Sequence, residues 1–197
     1  MTTTSPGRRE RKKHATRAAL ELAALRLFAK KGYENTTIED IAETADVAVR
    51  TFFRHFSSKQ HVLFDDLDQD INDHFQTALL TRPIDEHVID TMREVLRGLN
   101  LDAPERQRQI RVRMNLIEQQ PALRAMFYAV FRQPTEIIAE HAARLCGLSV
   151  DDLFPRLLAT AATESIQVSL HVWHAKSESA SLSLQQLCQQ AYDILVT

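Results

Sequence analysis

Turn-making residues are scarce: the 197-residue chain has 4 glycines and 6 prolines, and few of its segments alternate polar and apolar side chains with period 2. These absences argue against a strand-rich protein and for an all-α one, as does the abundance of leucine, alanine, glutamine and arginine. There are only 2 cysteines, Cys146 and Cys188. Both lie inside apolar helical patterns and read as buried thiols, neither a disulfide nor a metal site. No run of 18 apolar residues is free of charge, and the N-terminus lacks the apolar core of a signal peptide. A soluble, cytoplasmic protein without a membrane partner is therefore expected. The 8 histidines form no His-Glu-x-x-His pattern, and Cys-x-x-Cys, Gly-x-Ser-x-Gly and phosphate-loop motifs are missing. His171 and His174 stand three apart without a nearby carboxylate or cysteine pattern and read as structural. The chain reads as non-enzymatic, with no cofactor and no metal.

The net charge of -2 hides an asymmetry. Residues 1–64 carry 12 Lys/Arg against 7 Asp/Glu, a balance of +5, while 65–197 carry 12 against 19, a balance of -7. A basic N-terminal third on an acidic remainder suits a chain that turns one end towards phosphate.

Residues 1–7 lack periodicity and read as disordered, and the basic run Arg8, Arg9, Arg11, Lys12 and Lys13 follows. A first helix is predicted at about 13–31, with Leu20, Ala23, Leu27 and Phe28 on its apolar face. Gly32 ends it in the left-handed conformation, and Tyr33 packs back on it. Thr36 with Glu39 makes a capping-box pattern for a helix at 37–44, whose inner face is Ile38, Ile41, Ala42 and Ala45. Asp46 falls where the next turn needs a positive φ, and Val47 anchors that turn. A third helix at 48–54 buries Phe52 and Phe56. It leaves Val49, Arg50, Thr51, Phe53, Arg54 and His55 more exposed. Two short helices joined by a tight turn, the second offering arginine, threonine, histidine and aromatic side chains, are the layout of a helix-turn-helix reader of double-stranded DNA.

Ser57 or Ser58 caps a fourth helix running from Lys59 to about residue 80. Further helices are predicted at about 85–99, 104–117, 121–146, 150–175 and 183–196, punctuated by Pro104, Pro121, Gly147 and the Ser-rich 177–183. The expected architecture has about nine helices: a three-helix DNA-binding domain at 8–58, then a helical ligand-binding and dimerisation domain at 59–197.

The pattern Thr36-Thr37, Ile41-Ala42, Val47, Thr51-Phe52-Phe53, His55-Phe56 and Ser58-Lys59, preceded by Leu27-Phe28 and Lys31-Gly32-Tyr33, resembles the TetR family of bacterial repressors. The resemblance implies phosphate contacts from Thr36 or Thr37, Phe53, His55 and Lys59. Arg50 is the best candidate for a bidentate contact to guanine, Thr51 for a thymine methyl, and Arg54 for either base or phosphate. Val49 completes the DNA-facing set. The segment 8–13 is expected either to enter the minor groove or to form a solubilising tail. The family commonly has Gly where Asp46 stands, often Ser where Ala48 stands, and often Gly or Lys at Arg50, which implies a different operator from its best-known members. Further on, Arg111, Arg113, Leu116-Ile117, Pro121, Arg124, Ala143-Arg144-Leu145 and Trp173 look like the subgroup associated with acyl-CoA-like ligands and mycofactocin clusters.

Family members act as two-fold dimers, which implies an interface on the last two helices. The sequence supports this, because both are apolar on more than one side. Trp173, Leu184, Leu187, Ala191 and Leu195 are the expected interface residues. For a pocket holding an apolar or acyl-like effector, Met114, Met126, Phe127, Tyr128 and Phe131 are candidate walls, beside Ile117 and one inward arginine, Arg111 or Arg113. Glu164, Gln167 and His171 share a face at i, i+3, i+7 and either orient a ligand or hydrogen-bond at the dimer interface. The function expected is a repressor released from a palindromic operator by a small molecule. The alternatives are a DNA-binding protein without an effector and a ligand-dependent activator.

Overall fold

Glycine and proline punctuate the helices at Gly32, Gly98, Pro104, Pro121 and Gly147. The computed structural model describes residues 8–176 and 182–196. The expected disorder of 1–7 and most of the Ser-rich stretch lie outside the described residues, as do the side chains of Arg8 and Arg9. Among the described residues there are ten α-helices: α1 Arg8–Lys31, α2 Ile38–Thr44, α3 Val49–His55, α4 His61–Leu80, α5 Val88–Arg97, α6 Pro104–Gln119, α7 Pro121–Val130, α8 Arg132–Cys146, α9 Leu153–Ala175 and α10 Leu184–Val196. The count exceeds nine because 121–146 is two helices. Pro134, in the first turn of α8, has no N–H to give the Val130 carbonyl, and its ring would clash there in a continuous helix. The basic run beginning at Arg8 is helical, an extension of α1. None of the described helices is long and apolar enough to cross a membrane.

The chain divides into two compact units, Met1–Asp66 and Leu67–Thr197. The division falls within α4, later than the 58/59 boundary read from sequence. In the first unit, Leu20, Ala24 and Phe28 of α1 meet Ile41, Ala42, Phe52 and Phe56, all buried; Leu27 is only half-buried. Gly32 closes α1 at φ 84°, its amide donating to Phe28 O at 3.0 Å, and the Tyr33 ring lies 5.2 Å from that of Phe28. The capping box is one residue later than the sequence suggested. Thr37 Oγ1 accepts from the Asp40 amide at 3.1 Å, and Asp40 accepts from the Thr37 amide at 2.8 Å. Thr36 is not the cap; its hydroxyl turns back to donate to Gly32 O at 2.8 Å. Asp46 adopts φ 53°, as its place in the turn demanded.

In the second unit α9 is the central helix, burying Leu158, Ala162, Ile166, Leu170 and Trp173. α10 is strapped to α5 by polar contacts. Tyr192 Oη donates to Ile89 O at 3.2 Å, Arg93 pairs with Asp193 at 2.8 Å, and Gln185 donates to Leu96 O at 2.6 Å. Gln185 Oε1 also accepts from the Leu101 amide at 3.2 Å. That clamp fixes the turn after α5, where Asn100 has φ 50° and Leu99 and Leu101 point inward. Cys188 is buried, and burial pushes its thiol up to about 12. Cys146, expected inside, is exposed: it is the last residue of α8, next to the left-handed Gly147.

Candidate DNA interface and ligand cavity

α3 sorts its side chains by helical period. Phe52 faces the core with 0% exposure, while Phe53 is 54% exposed and Arg50 and Arg54 are exposed beside it. Val49 and Thr51 are half-buried, and Thr37 is exposed at the start of α2. With its apolar side committed to Phe52 and Phe56, α3 offers two guanidiniums, a hydroxyl and an aromatic edge on its outer side. That set suits both phosphate and base-edge contacts. Ala48 caps α3 without any side-chain hydrogen bond, the consequence of lacking a hydroxyl.

Three expected contact residues lie differently. Thr36 is 1% exposed. Lys59 precedes α4 in a turn, and its ammonium donates to Tyr33 O at 2.7 Å and Thr36 O at 3.0 Å, over the Tyr33 ring. Its charge fastens the α1–α2 turn, where the two carbonyls and the ring face hold the half-buried ammonium. α4 begins at His61 rather than Lys59, and Ser58, one of the two expected caps, accepts from the His61 amide through its Oγ. His55 has both ring nitrogens covered and without a hydrogen-bond partner. Burial lowers its pKa, with Arg54, Arg17 and Lys13 adding to the effect.

The His55 shift has a pH consequence. The folded state holds this ring neutral while the unfolded chain protonates it at its ordinary 6.5, so the contribution is whole above that pH and falls away below it. Once the intrinsic slowing of exchange on acidification is corrected for, amide protection in α3 is expected to be lower at about pH 5.5 than at about 7.5, and His55→Gln is expected to remove that excess loss. An unchanged excess in the variant would assign it to another group.

In the second unit an apolar cavity of about 30 Å³ is walled by residues that include Leu67, Ile71, Leu99, Leu101, Ile110 and Ile166. Arg113, Met114, Ile117, Phe127 and Phe131, all singled out from sequence, line it too. The space holds about two waters, so an organic ligand must push the walls apart. Arg113 is the inward arginine. Arg111 instead lies over the Trp173 ring at 4.0 Å.

Glu164, Gln167 and His171 do not line the cavity. Gln167 donates to Glu164 at 3.1 Å, and His171 stacks on Tyr128. Glu164 is exposed on the α9 face that also shows Leu153, Leu157 and Val168, at 74%, 57% and 51% exposure. On α10, Leu187 and Ala191 are half-buried and Ile194 and Leu195 exposed. Trp173 and Leu184, expected at the interface, are 4% and 0% exposed and packed within their own chain.

The sequence alone did not single out Leu67, Ile71, Leu99, Leu101, Arg106 and Ile110 on the cavity, or Leu153 and Val168 on the open face. A signal existed for Arg106: with Ile110, Arg113 and Ile117 it repeats at i, i+4, i+7, i+11 along α6.

Residues 22–65 match the model of bacterial regulatory proteins of the tetR family, and 86–197 match the MftR C-terminal domain. The second match alone spans more than half of the chain. The chain belongs to the TetR family. It is 31% identical to the HTH-type transcriptional regulator TcmR of Streptomyces glaucescens, over 98% of this chain and 88% of that one. To MftR of Mycobacterium tuberculosis, named for regulation of mycofactocin biosynthesis, identity is 28%, covering 94% of this chain and 91% of the relative. The fold matches that of FadR from Bacillus subtilis, solved with stearoyl-CoA, at TM-score 0.65 and 16% identity, over 91% of this chain and 97% of that one. This TetR-family chain is a DNA-binding transcriptional regulator, and its family is one of regulators, not enzymes.

Proposed function

We propose that this TetR-family protein is a cytoplasmic repressor that holds a palindromic operator as a homodimer and leaves it when an apolar small molecule enters the second unit. The observation that carries this reading is the cavity: a wall of aliphatic and aromatic side chains with arginines among them, around only about 30 Å³ of space. So narrow a cavity is the state that a ligand can bias against, since filling it requires a different conformation. FadR, bound to stearoyl-CoA in its solved structure, is a ligand-holding example of the fold. Here the effector class is an apolar or acyl-like compound.

Dimerisation uses the open faces of α9 and α10, where Leu157, Val168 and Ile194 lack cover in their own chain. Two α3 helices set about 34–36 Å apart would read successive major grooves of one operator. Arg50, Thr51 and Arg54 read bases or phosphates, and Thr37, Val49 and Phe53 complete the surface. Thr36, His55 and Lys59 support it from within. α4 passes from one unit to the other and places Leu67 and Ile71 in the cavity wall, so it is the element that reports filling to the DNA-binding unit. Footprinting on the chain's own upstream DNA, with and without an organic extract of its host cells, tests this. Protection that the extract abolishes is expected; protection that no extract fraction alters would leave a DNA-binding protein without an effector.

A further inference from the structure

Arg106 stands between the narrow apolar cavity and an open surface cleft. It lines the apolar cavity, and it also lines a surface cleft formed by Asp70, Asp73, His74, Gly98 and Asn100. Leu99 is likewise common to both. These two side chains are therefore the partition between cleft and cavity. The rest of the mouth is braced. His74 Nε2 donates to Val95 O at 2.9 Å, and a Cβ on Gly98 would come within 3.1 Å of the His74 ring, so glycine there lets α4 seat against the end of α5.

Arginine suits a border of this kind, with an apolar stem for one side and a guanidinium for the other. The Arg106 guanidinium lies 3.9 Å from the Asp70 carboxylate, at the outer limit of an ion pair, and Asp70 is 65% exposed. Such a pair is weak and easily exchanged. We infer that Arg106 is the gate and the head-group anchor of the effector, which is an apolar monocarboxylate: its body fills the cavity, and its carboxylate displaces Asp70 from the guanidinium. A planar guanidinium takes a carboxylate with two parallel hydrogen bonds, a better partner than the distant Asp70. Asp70 and Asp73 at the same mouth repel a head group carrying several phosphates, so a free acid is favoured over its CoA thioester. The inference rests on the effector reading above and narrows its chemistry.

The test uses the full-length protein and titrates straight-chain carboxylates of about 8–16 carbons, the matching primary alcohols and the matching CoA thioesters, by calorimetry and by release of footprinted DNA. Acids are expected to bind best, with thioesters about tenfold weaker or more. Arg106→Gln is expected to weaken acids about tenfold or more while leaving alcohols within about twofold, as loss of a charged hydrogen-bond partner implies. Asp70→Asn is expected to tighten acids, since it removes the competing carboxylate. Unchanged melting temperature and operator binding of Arg106→Gln without ligand show that the variant is folded. Equal losses of acids and alcohols, tighter binding of thioesters, or binding of no probe would each overturn the inference. Release of DNA by cell extract judges the effector reading separately.

Discussion

Leu157→Asp combined with Val168→Asp on α9 is expected to convert the proposed dimer into a folded monomer and to lower operator affinity by about 10²–10⁴-fold, the contribution of linking two half-site contacts. Both side chains are more than half exposed in their own chain, so the monomer loses little of its core. In a two-fold interface each substitution appears twice, and a carboxylate facing apolar side chains there is desolvated without a partner. Sedimentation and gel-shift titration read the two effects, and circular dichroism confirms retained helix. A variant that still sediments as a dimer with wild-type affinity would move the interface off the α9 face.

Arg50→Ala is expected to remove about 1–3 kcal/mol of discrimination at one base position, roughly 5–150-fold, while binding to unrelated DNA changes far less. The prediction follows from position. Arg50 is exposed in the first turn of α3, on the side opposite the buried Phe52. A selection experiment on randomised operators gives the readout. Equal weakening on cognate and random sequences would make Arg50 a phosphate contact instead.

Much of the fold was legible because the chain states its helix ends in residues with backbone consequences. Gly32, Pro104, Pro121, Gly147 and Asp46 each stand where a cap, a first turn or a positive φ requires them. Pro134 carried an equally plain message, but the apolar period runs on through Phe127, Phe131 and Ile138 and masked the break. Tertiary placement was harder to read. Motif position assigns Lys59 to phosphate, and nothing local reveals that the Tyr33 and Thr36 carbonyls converge on its ammonium. Apolarity all round α9 indicated cover on two sides, yet only packing separates Leu158 and Trp173, turned into their own chain, from Leu157 and Val168, turned out. At the cavity, Arg113, Met114 and Ile117 of α6 were singled out from the sequence as candidate walls. Leu99 and Leu101 reach it from a turn shaped by Asn100 and the Gln185 clamp, contacts distant in sequence.

The central claim is that two copies of α3 read one operator in register. Hydroxyl-radical footprinting of the purified protein on its own upstream DNA tests it most directly. Two protected half-sites of inverted sequence, about one helical turn or 34–36 Å apart, are expected, and their loss in the Leu157→Asp, Val168→Asp variant. Protection at a single unrepeated site, or uniform protection without sequence preference, would contradict it.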